Sequence, residues 1–363
     1  MLNAYLSDVG DGLCMAIRTH MGETVQIDCG STVGYWNEKC GEVAFEGLIR
    51  ILNRLSDPNI LVLSHFHLDH YSGLAYAASP AAKNVPNLSI QRIYCPGVPA
   101  FSLSQAFFYA ILTINLRILG DETGIPGYEL FNLVTKLNGG SPPTLKTVFQ
   151  GDSIDINGSV LTVTWPPRSI ANDTAVAKVV TQAIELFNEA KEVDEPTKKW
   201  HTYLQEKQLF DRYIEGELHE FRPYKEQTNT LPKFAPRKLP QVVEQANWAL
   251  RRAANRLSLC FFEGKGEFLF FGDVNKKEID TIINNLLSSG ISIFGLLVTP
   301  HHDTRWSNMF LNMQCERAAS SCGQRLFPFL RSDFKKISRS HHVTWLSGDL
   351  PFVNCLGTWL IFP

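Results

Sequence analysis

Three histidines and one aspartate stand within six consecutive positions of this chain: His65, His67, Asp69 and His70. They follow directly after the apolar run at 60–63. Imidazole nitrogens and carboxylate oxygens are ligands that suit zinc, manganese or iron. Because α/β folds place their sites on loops at the ends of buried strands, the pattern predicts a metal site. The alternative is a solvated loop that is rich in histidine by chance.

The spacing suits two adjacent ions, with His65 and His67 directed at one ion and Asp69 and His70 at the other. Two ions about 3.5–4 Å apart need a shared carboxylate and a further ligand from another strand end. Two later strands end in such residues, the first in Asp273 and the second in the pair His301 and His302. Each of these two strand ends is weak evidence for a metal site by itself, since an aspartate after glycine can cap a helix and neighbouring histidines can be surface residues. Together with the first motif they reinforce the prediction of a dinuclear centre.

The elements that must position these residues alternate between strand and helix. Apolar periodicity and turn residues predict strands at 3–9, 13–18, 23–28, 60–63, 89–94, 148–156, 159–164, 257–263, 267–271 and 295–299. Asn157-Gly158 predicts a hairpin between the sixth and seventh of these. Helices are predicted at 43–55, 101–119, 128–137 and 276–289. From 171 to 254 the sequence is charged and helical, and we interpret that stretch as an insertion.

The composition is that of a globular α/β protein. The 363 residues, 44% of them hydrophobic and 19% charged, fit one elaborated domain. A formal charge of −2 predicts no global field for a polyanion, so any contact with nucleic acid must be local. Eight cysteines without a CxxC pair favour free thiols in a reducing compartment. The first residues lack the pattern of a secretory signal. Polar residues interrupt the apolar segment 101–119, which argues against a membrane span there. We therefore expect a cytoplasmic protein without a membrane span.

The stretch from His65 to His70 resembles the HxHxDH signature of the metallo-β-lactamase fold superfamily. The order of further motifs resembles the branch that contains the hydrolase domain of the DNA-uptake protein ComEC and bacterial phosphorylcholine esterases. These motifs are Asp8-Val9-Gly10-Asp11-Gly12, Ile27-Asp28-Cys29-Gly30, Asn255-Arg256-Leu257-Ser258-Leu259, Phe271-Gly272-Asp273 and His301-His302-Asp303-Thr304. The resemblance covers 1–94, 148–167 and 255–363. It implies one four-layer αββα sandwich over 1–363, with helical insertions at about 97–140 and 171–254.

The resemblance also implies a ligand set for two divalent ions, Zn²⁺ or Mn²⁺. The set is His65, His67, Asp69, His70, Asp273 and His302, with Asp273 bridging the ions. His301 would be a neighbour able to donate a proton, although the reverse assignment of His301 and His302 stays open. We assign catalytic roles to Asp69 and His301. Asp8 and Asp28 are predicted either to orient ligand imidazoles or simply to form turns. Asn255 and Ser258 are predicted to be structural, with a role in the site as the weaker alternative.

One position departs from the superfamily pattern. Trp165 stands at the strand end where a third histidine for the first ion is usual, and an indole cannot serve as that ligand. Three outcomes stay open. Water can fill the first ion's shell, His201 or His219 from the insertion can complete it, or the site can hold one ion tightly and the other only with substrate.

A metal pair generates a hydroxide nucleophile, so hydrolysis is the predicted reaction. The branch resemblance favours phosphodiesters, including nucleic acid, and the basic stretch 222–256 carries interleaved aromatic residues that suit phosphates and bases. The alternative for that stretch is a solvated helical face. A second hypothesis makes the insertion 171–254 a docking module for a protein partner, with weakened hydrolase activity. A lactonase or another ester or amide hydrolase ranks lowest.

Overall fold

A computed structural model describes residues 2–32, 38–79, 82–119, 130–206, 210, 239–355 and 358–361. Its strands form two sheets. The first has the order β15-β14-β1-β2-β3-β4-β5-β6. Its strands are β1 (Leu2–Leu6), β2 (Asp11–Thr19), β3 (Thr24–Thr32), β4 (Ile60–Val62), β5 (Arg92–Pro96), β6 (Thr144–Val148), β14 (Leu350–Cys355) and β15 (Thr358–Ile361). Strands β3 to β6 run parallel, and the others pair antiparallel.

The second sheet has the order β13-β12-β11-β10-β9-β8-β7. Its strands are β7 (Ser153–Asp155), β8 (Val160–Trp165), β9 (Cys260–Glu263), β10 (Phe268–Phe271), β11 (Ile293–Val298), β12 (Gln314–Ser320) and β13 (Ser338–Val343). Strands β10 to β13 run parallel. Strand β9 is antiparallel to both β8 and β10, so β8 points the same way as β10.

The helices surround these sheets. They are α1 (Glu38–Arg54), α2 (Leu68–Ala77), α3 (Ser104–Leu119), α4 (Leu130–Leu137), α5 (Ala175–Val193), α6 (Glu195–Glu206), α7 (Gln241–Arg256), α8 (Lys276–Ser288) and the single turn α9 (Thr344–Ser347). None of the helices in the described part of the chain is both long and apolar enough to cross a membrane.

A buried core lies between the two sheets. It joins residues such as Met15 and Ile27 of the first sheet to Phe261 and Phe270 of the second. The opposite faces of the strands pack against the helices: along β11, Leu297 belongs to the helix-facing core, and its neighbours Leu296 and Val298 belong to the core between the sheets. This alternation is the period of two that a strand buried on both faces requires. The predicted αββα sandwich is confirmed.

The strand directions bring the predicted site residues to one edge of the molecule. In the first sheet, β4 ends just before His65. In the second sheet β8, β10 and β11 end at or just before Trp165, Asp273 and His301. Since these three strands point the same way, their carboxyl ends share one edge of the sheet, which is where α/β folds collect sites.

The hairpin around Asn157 and Gly158 is confirmed, since both residues have positive φ, 43° and 87°, as a type I′ turn requires. The strand predicted over 148–156 is wrong. A turn at Gly151, with φ of 91°, divides it, so that β6 belongs to the first sheet and β7 to the second. Helices make up most of the described residues of the segments 97–140 and 171–254, with α3 and α4 in the first and α5, α6 and α7 in the second.

Candidate metal centre

Helix α2 presents Asp69 and His70 at its first turn, directly behind the loop that carries His65 and His67. Strand β3 passes close behind this turn. A Cβ atom on Gly30 would lie 2.2 Å from the carbonyl carbon of Asp69, so only glycine allows this approach. The glycine of the Asp28-Cys29-Gly30 motif thereby brings Asp28 within reach of the loop that carries His65 and His67.

Asp28 fixes the orientation of His70. The Nδ1–H of His70 donates to Asp28 Oδ2 at 2.7 Å, and the backbone N–H and hydroxyl of Ser64 donate to the same carboxylate at 2.7 and 2.6 Å. With Nδ1 occupied, His70 Nε2 faces Asp273 Oδ2 at 3.5 Å. A carboxylate behind an imidazole is the arrangement that fixes the tautomer and ring position of metal-binding histidines.

Asp273 and His302 come from the second sheet. The backbone N–H of Asp273 donates to Ser258 Oγ at 2.9 Å, and His302 Nδ1–H donates to the carbonyl of Ser321 at 3.0 Å. His302 Nε2 then lies 3.6 Å from Asp273 Oδ2. Gly272 allows β10 to pass Ser258, because a Cβ there would lie 2.1 Å from Ser258 Oγ.

Three consecutive residues, His301, His302 and Asp303, adopt the left-handed backbone region with φ of 50°, 56° and 67°. This conformation costs non-glycine residues about 1–2 kcal/mol each. Buried contacts hold it in place: Asp303 Oδ2 lies 3.2 Å from His341 Nε2, which also hydrogen bonds to Ser320 at 2.8 Å. The strain and its support mark this turn as a site feature.

His65 and His67 are arranged differently. His65 Nε2 and His67 Nδ1 share a hydrogen bond of 2.8 Å, so the two imidazoles contact each other. Behind His65, its Nδ1 lies 3.1 Å from Ser64 Oγ and 3.3 Å from Ser258 Oγ. We call His65 and His67 the first half-site, and Asp69, His70 and His302 the second half-site, with Asp273 between them.

The donor atoms fit divalent cations. Among the described residues, one ligand-atom cluster joins His65, His70 and Asp273, and another joins Asp69, His70 and His302, with the atoms of each cluster within 4.8 Å of one another. The buried Nε2 atoms of three histidines and one carboxylate oxygen, Asp69 Oδ1, have no hydrogen-bond partner among the described residues; the histidines are His67, His70 and His302. Buried polar atoms normally have a partner, and a metal ion would provide one here.

Nearby charges shift the pKa values of the histidines in the two half-sites in different directions. Burial lowers the pKa of His65 and of His67 well below the ordinary value. Burial acts the same way on His70, but the carboxylates of Asp28 and Asp273 outweigh it and raise the pKa of His70 well above the ordinary value. For Asp69, burial would raise the pKa, yet Arg251 and then His70 lower it to about 2.

Two residues of α7 reach this cluster: Arg251, which the sequence did not place there, and Asn255, for which a role in the site was the weaker alternative. Arg251 Nη2 donates to Asp69 Oδ2 at 3.1 Å, and Asn255 Nδ2 lies 3.4 Å from His301 Nδ1. His301 Nδ1 is closer to the carbonyl of Asp273, at 3.0 Å. The spacing of four residues puts Arg251 and Asn255 on one face of the helix, which was the available signal.

The structure groups His302, and not His301, with the predicted ligands. Trp165 is buried at the end of β8 and donates its indole N–H to the carbonyl of Arg256 at 2.6 Å. His201 lies away from the cluster, with its ring 5.2 Å from that of Phe187. His219 lies outside the described residues, as do the basic and aromatic residues between 222 and 238.

Asp8 and Asp28, for which the sequence predicts the same alternative roles, differ in what they contact. Asp28 contacts His70, whereas Asp8 accepts a hydrogen bond from the backbone of Gly10 at 3.3 Å and touches no predicted ligand. Ser258, predicted to be structural, contacts both His65 and the backbone of Asp273.

Residues 7–139 match the family model described as the metallo-beta-lactamase superfamily. This part of the chain is therefore similar to members of that superfamily. Its members are generally metal-dependent hydrolases, in keeping with the cluster of histidines and aspartates at the strand ends. The match includes α2 with Asp69 and His70 and also most of the segment 97–140 that the sequence marks as an insertion.

Solved structures with low sequence identity are also similar to this chain. The metallo-beta-lactamase fold protein YhfI from Bacillus subtilis is 9% identical, with 96% of this chain and 99% of that chain covered and a TM-score of 0.38. The subclass B3 metallo-beta-lactamase MEM-A1 from a soil metagenome library is 17% identical over 46% of this chain and 51% of that chain, with a TM-score of 0.24. No curated protein matches the sequence.

Proposed function

We propose that the protein is a metal-dependent phosphodiesterase that acts on nucleic acid. The observation that carries this proposal is Arg251, a partly exposed guanidinium 3.1 Å from Asp69 at the edge of the metal-ligand cluster. Arginine presents a planar fork of N–H donors that matches the oxygens of a phosphate group. The resemblance to the branch that contains ComEC and the phosphorylcholine esterases supports the same substrate class.

Bound divalent ions, for which we propose Zn²⁺ or Mn²⁺, would supply a hydroxide nucleophile and stabilise the charge that develops on the phosphoryl group. We assign His65, His67, Asp69, His70, Asp273 and His302 as the residues that hold them. This set is proposed on the clustering of the second half-site around His70 and on the unpartnered nitrogen of His67.

Two side chains have roles toward the substrate itself. Arg251 binds an oxygen of the phosphodiester that does not react. His301 moves a proton: its Nδ1–H donates to the carbonyl of Asp273, which leaves Nε2 to accept a proton and pass it to the leaving oxygen. Burial lowers the pKa of His301, so the neutral imidazole that can accept this proton is present near pH 7.

The test is hydrolysis by protein reconstituted with Zn²⁺ or Mn²⁺. Bis(p-nitrophenyl) phosphate and labelled single- and double-stranded DNA and RNA serve as substrates. We expect Asp69→Ala to lower the rate by at least about 100-fold, the scale of losing one group that stabilises the transition state. Asp173→Ala, at an exposed position, is the matched control and should keep the wild-type rate. Absence of diester cleavage with either metal contradicts the proposal.

A second candidate is a role in protein binding with weakened chemistry, in which the segment 171–254 contacts a partner. Trp165 is the observation in its favour, since the indole N–H is taken by the carbonyl of Arg256 and offers no ligand. Less than one tightly bound ion per chain, together with no diesterase activity, would favour this candidate.

The six described cysteines are all buried and unpaired, which suits a reducing compartment, and we propose a cytoplasmic location.

A further inference from the structure

One face of α7 leads outward from the metal centre. Trp248, Arg251, Arg252 and Asn255 are spaced by three, four and seven residues, which places them on the same side of a helix. At the inner end, Arg251 and Asn255 contact Asp69 and His301 at 3.1 and 3.4 Å. This face spans about 10 Å along the axis at 1.5 Å per residue.

The outer end of this face carries an exposed aromatic ring beside a cation. Trp248 is 64% exposed, and the guanidinium carbon of Arg252 lies 5.1 Å from the centre of its ring. Both residues line a groove of about 570 Å³ that α7 forms with Val179, Gln182 and Leu186 of α5. Tryptophan is usually highly buried, so a ring exposed to this degree next to a candidate active site indicates a binding surface.

The charges in this region leave Arg252 available for a ligand. No carboxylate of the described residues lies within ion-pair distance of Arg252, whereas Arg256 is held by Glu278 at 2.8 Å. Glu244 is the one acidic side chain among the described residues that line the groove, and Arg252 is the one basic side chain. The guanidinium of Arg252 therefore lies against Trp248 without an acidic partner among the described residues.

We propose that Trp248 and Arg252 bind a nucleotide of single-stranded nucleic acid whose neighbouring phosphodiester lies at Arg251. This inference rests on the proposed phosphodiesterase function and narrows it to a substrate class. An exposed tryptophan face stacks on a base of any sequence, and a guanidinium binds the adjoining phosphate. Bases within a duplex are already stacked, so the ring can accept only an unpaired base. The 10 Å face matches about three stacked nucleotides at 3.4 Å per nucleotide.

Binding can be measured apart from hydrolysis. Fluorescence anisotropy of a labelled 12-nucleotide single strand, in EDTA, reports affinity without turnover. We expect Trp248→Ala to weaken binding about tenfold, the scale of losing one stacked base, and Trp248→Phe to retain most of the affinity. Arg252→Ala should lower the slope of log affinity against log salt by about 0.7, as expected for one phosphate contact on a single strand.

Trp345→Ala is the matched control, because Trp345 is also exposed, at 43%, but lies on α9. It should bind as the wild type does, and all variants should share one melting temperature. Equal affinity of wild type and Trp248→Ala overturns the inference, as does equal binding of duplex and single strand, or equal competition by polyglutamate. If diesters are hydrolysed but Trp248→Ala binds normally, only the inference fails; if Trp248 is required for binding but no diester is cleaved, only the proposed function fails.

Discussion

In the second half-site each histidine is held from behind by an acceptor, whereas the two histidines of the first half-site hydrogen bond to each other. His70 donates to Asp28 at 2.7 Å and His302 to the carbonyl of Ser321 at 3.0 Å, so their Nε2 atoms are already aimed at Asp273. His65 and His67 share a bond of 2.8 Å, which an ion would have to replace. One position of the candidate centre is therefore preorganised, whereas the other would have to rearrange to bind an ion.

Preorganisation has a free-energy consequence for metal binding. An imidazole with a fixed tautomer and ring position loses little rotational freedom when it binds an ion. The first half-site must break the contact between His65 and His67, and Trp165 adds no third imidazole. We therefore expect one tight ion in the second half-site and one weaker ion in the first.

The largest effect should come from removing one histidine from each half-site in turn. His70 belongs to both ligand-atom clusters, so His70→Ala should weaken the tight ion by more than about 100-fold, beyond the cost of losing an outer partner. His67→Ala should remove the weaker ion alone and leave one ion per chain. Metal content after dialysis and competition with a chelator measure both quantities. Equal losses in the two variants would abolish the distinction between the half-sites.

A smaller effect is expected from the carboxylate behind His70. Asp28→Asn should weaken the tight ion by about 10–100-fold, because the amide cannot accept from His70 as the carboxylate does. Asparagine tolerates the left-handed backbone of Asp28, with φ of 51°, so the fold is kept. Asp8→Asn is the control, since Asp8 contacts Gly10 and no predicted ligand. Chelator competition giving the same affinity for both variants would show that Asp28 does not support the second half-site.

The types of the site residues could be predicted, because their chemistry is local to short motifs. The strand ends at His65 and Asp273 follow from apolar runs that any burial-driven fold must place inside. Among the supporting residues, Asp28 was predicted as one of two alternatives, whereas the role of Arg251 could not be predicted because it arises from a contact between distant segments. Arg251 and Asp69 are 182 residues apart, and the spacing within α7 shows that Arg251 shares a helix face with Asn255 but not what that face contacts.

The error in the fold has a similar origin. The run 148–156 has the composition of one strand, yet β6 pairs with β5 and β7 pairs with β8 in the other sheet. Positive φ at Gly151 makes this division possible, and which sheet each half joins depends on pairing that periodicity does not encode. The hairpin at Asn157 was predictable because two-residue type I′ turns have a strong local sequence preference.

The smallest effect on the metal centre is expected from substituting His201. This histidine lies in the segment 171–254, and the sequence left it open as a ligand of the first half-site. His201 packs beside Phe187 and lies 3.4 Å from the hydroxyl of Thr113. His201→Gln should therefore leave the number and affinity of bound ions unchanged, while His67→Ala removes the weaker ion. Loss of an ion from His201→Gln would mean that the first half-site draws a ligand from the helical insertion.

His201→Gln should instead change acid stability. Burial lowers the pKa of His201 from about 6.5 to about 4, so the folded protein resists a proton that the unfolded chain accepts. The folded state is then unaffected above about pH 6.5 and loses stability as the pH falls from about 6.5 to 4. Urea unfolding of the metal-free protein at pH 7 and pH 4.5 should show a smaller acid loss for the variant. An identical loss in both proteins would mean that His201 titrates normally and is not enclosed by the helical layer.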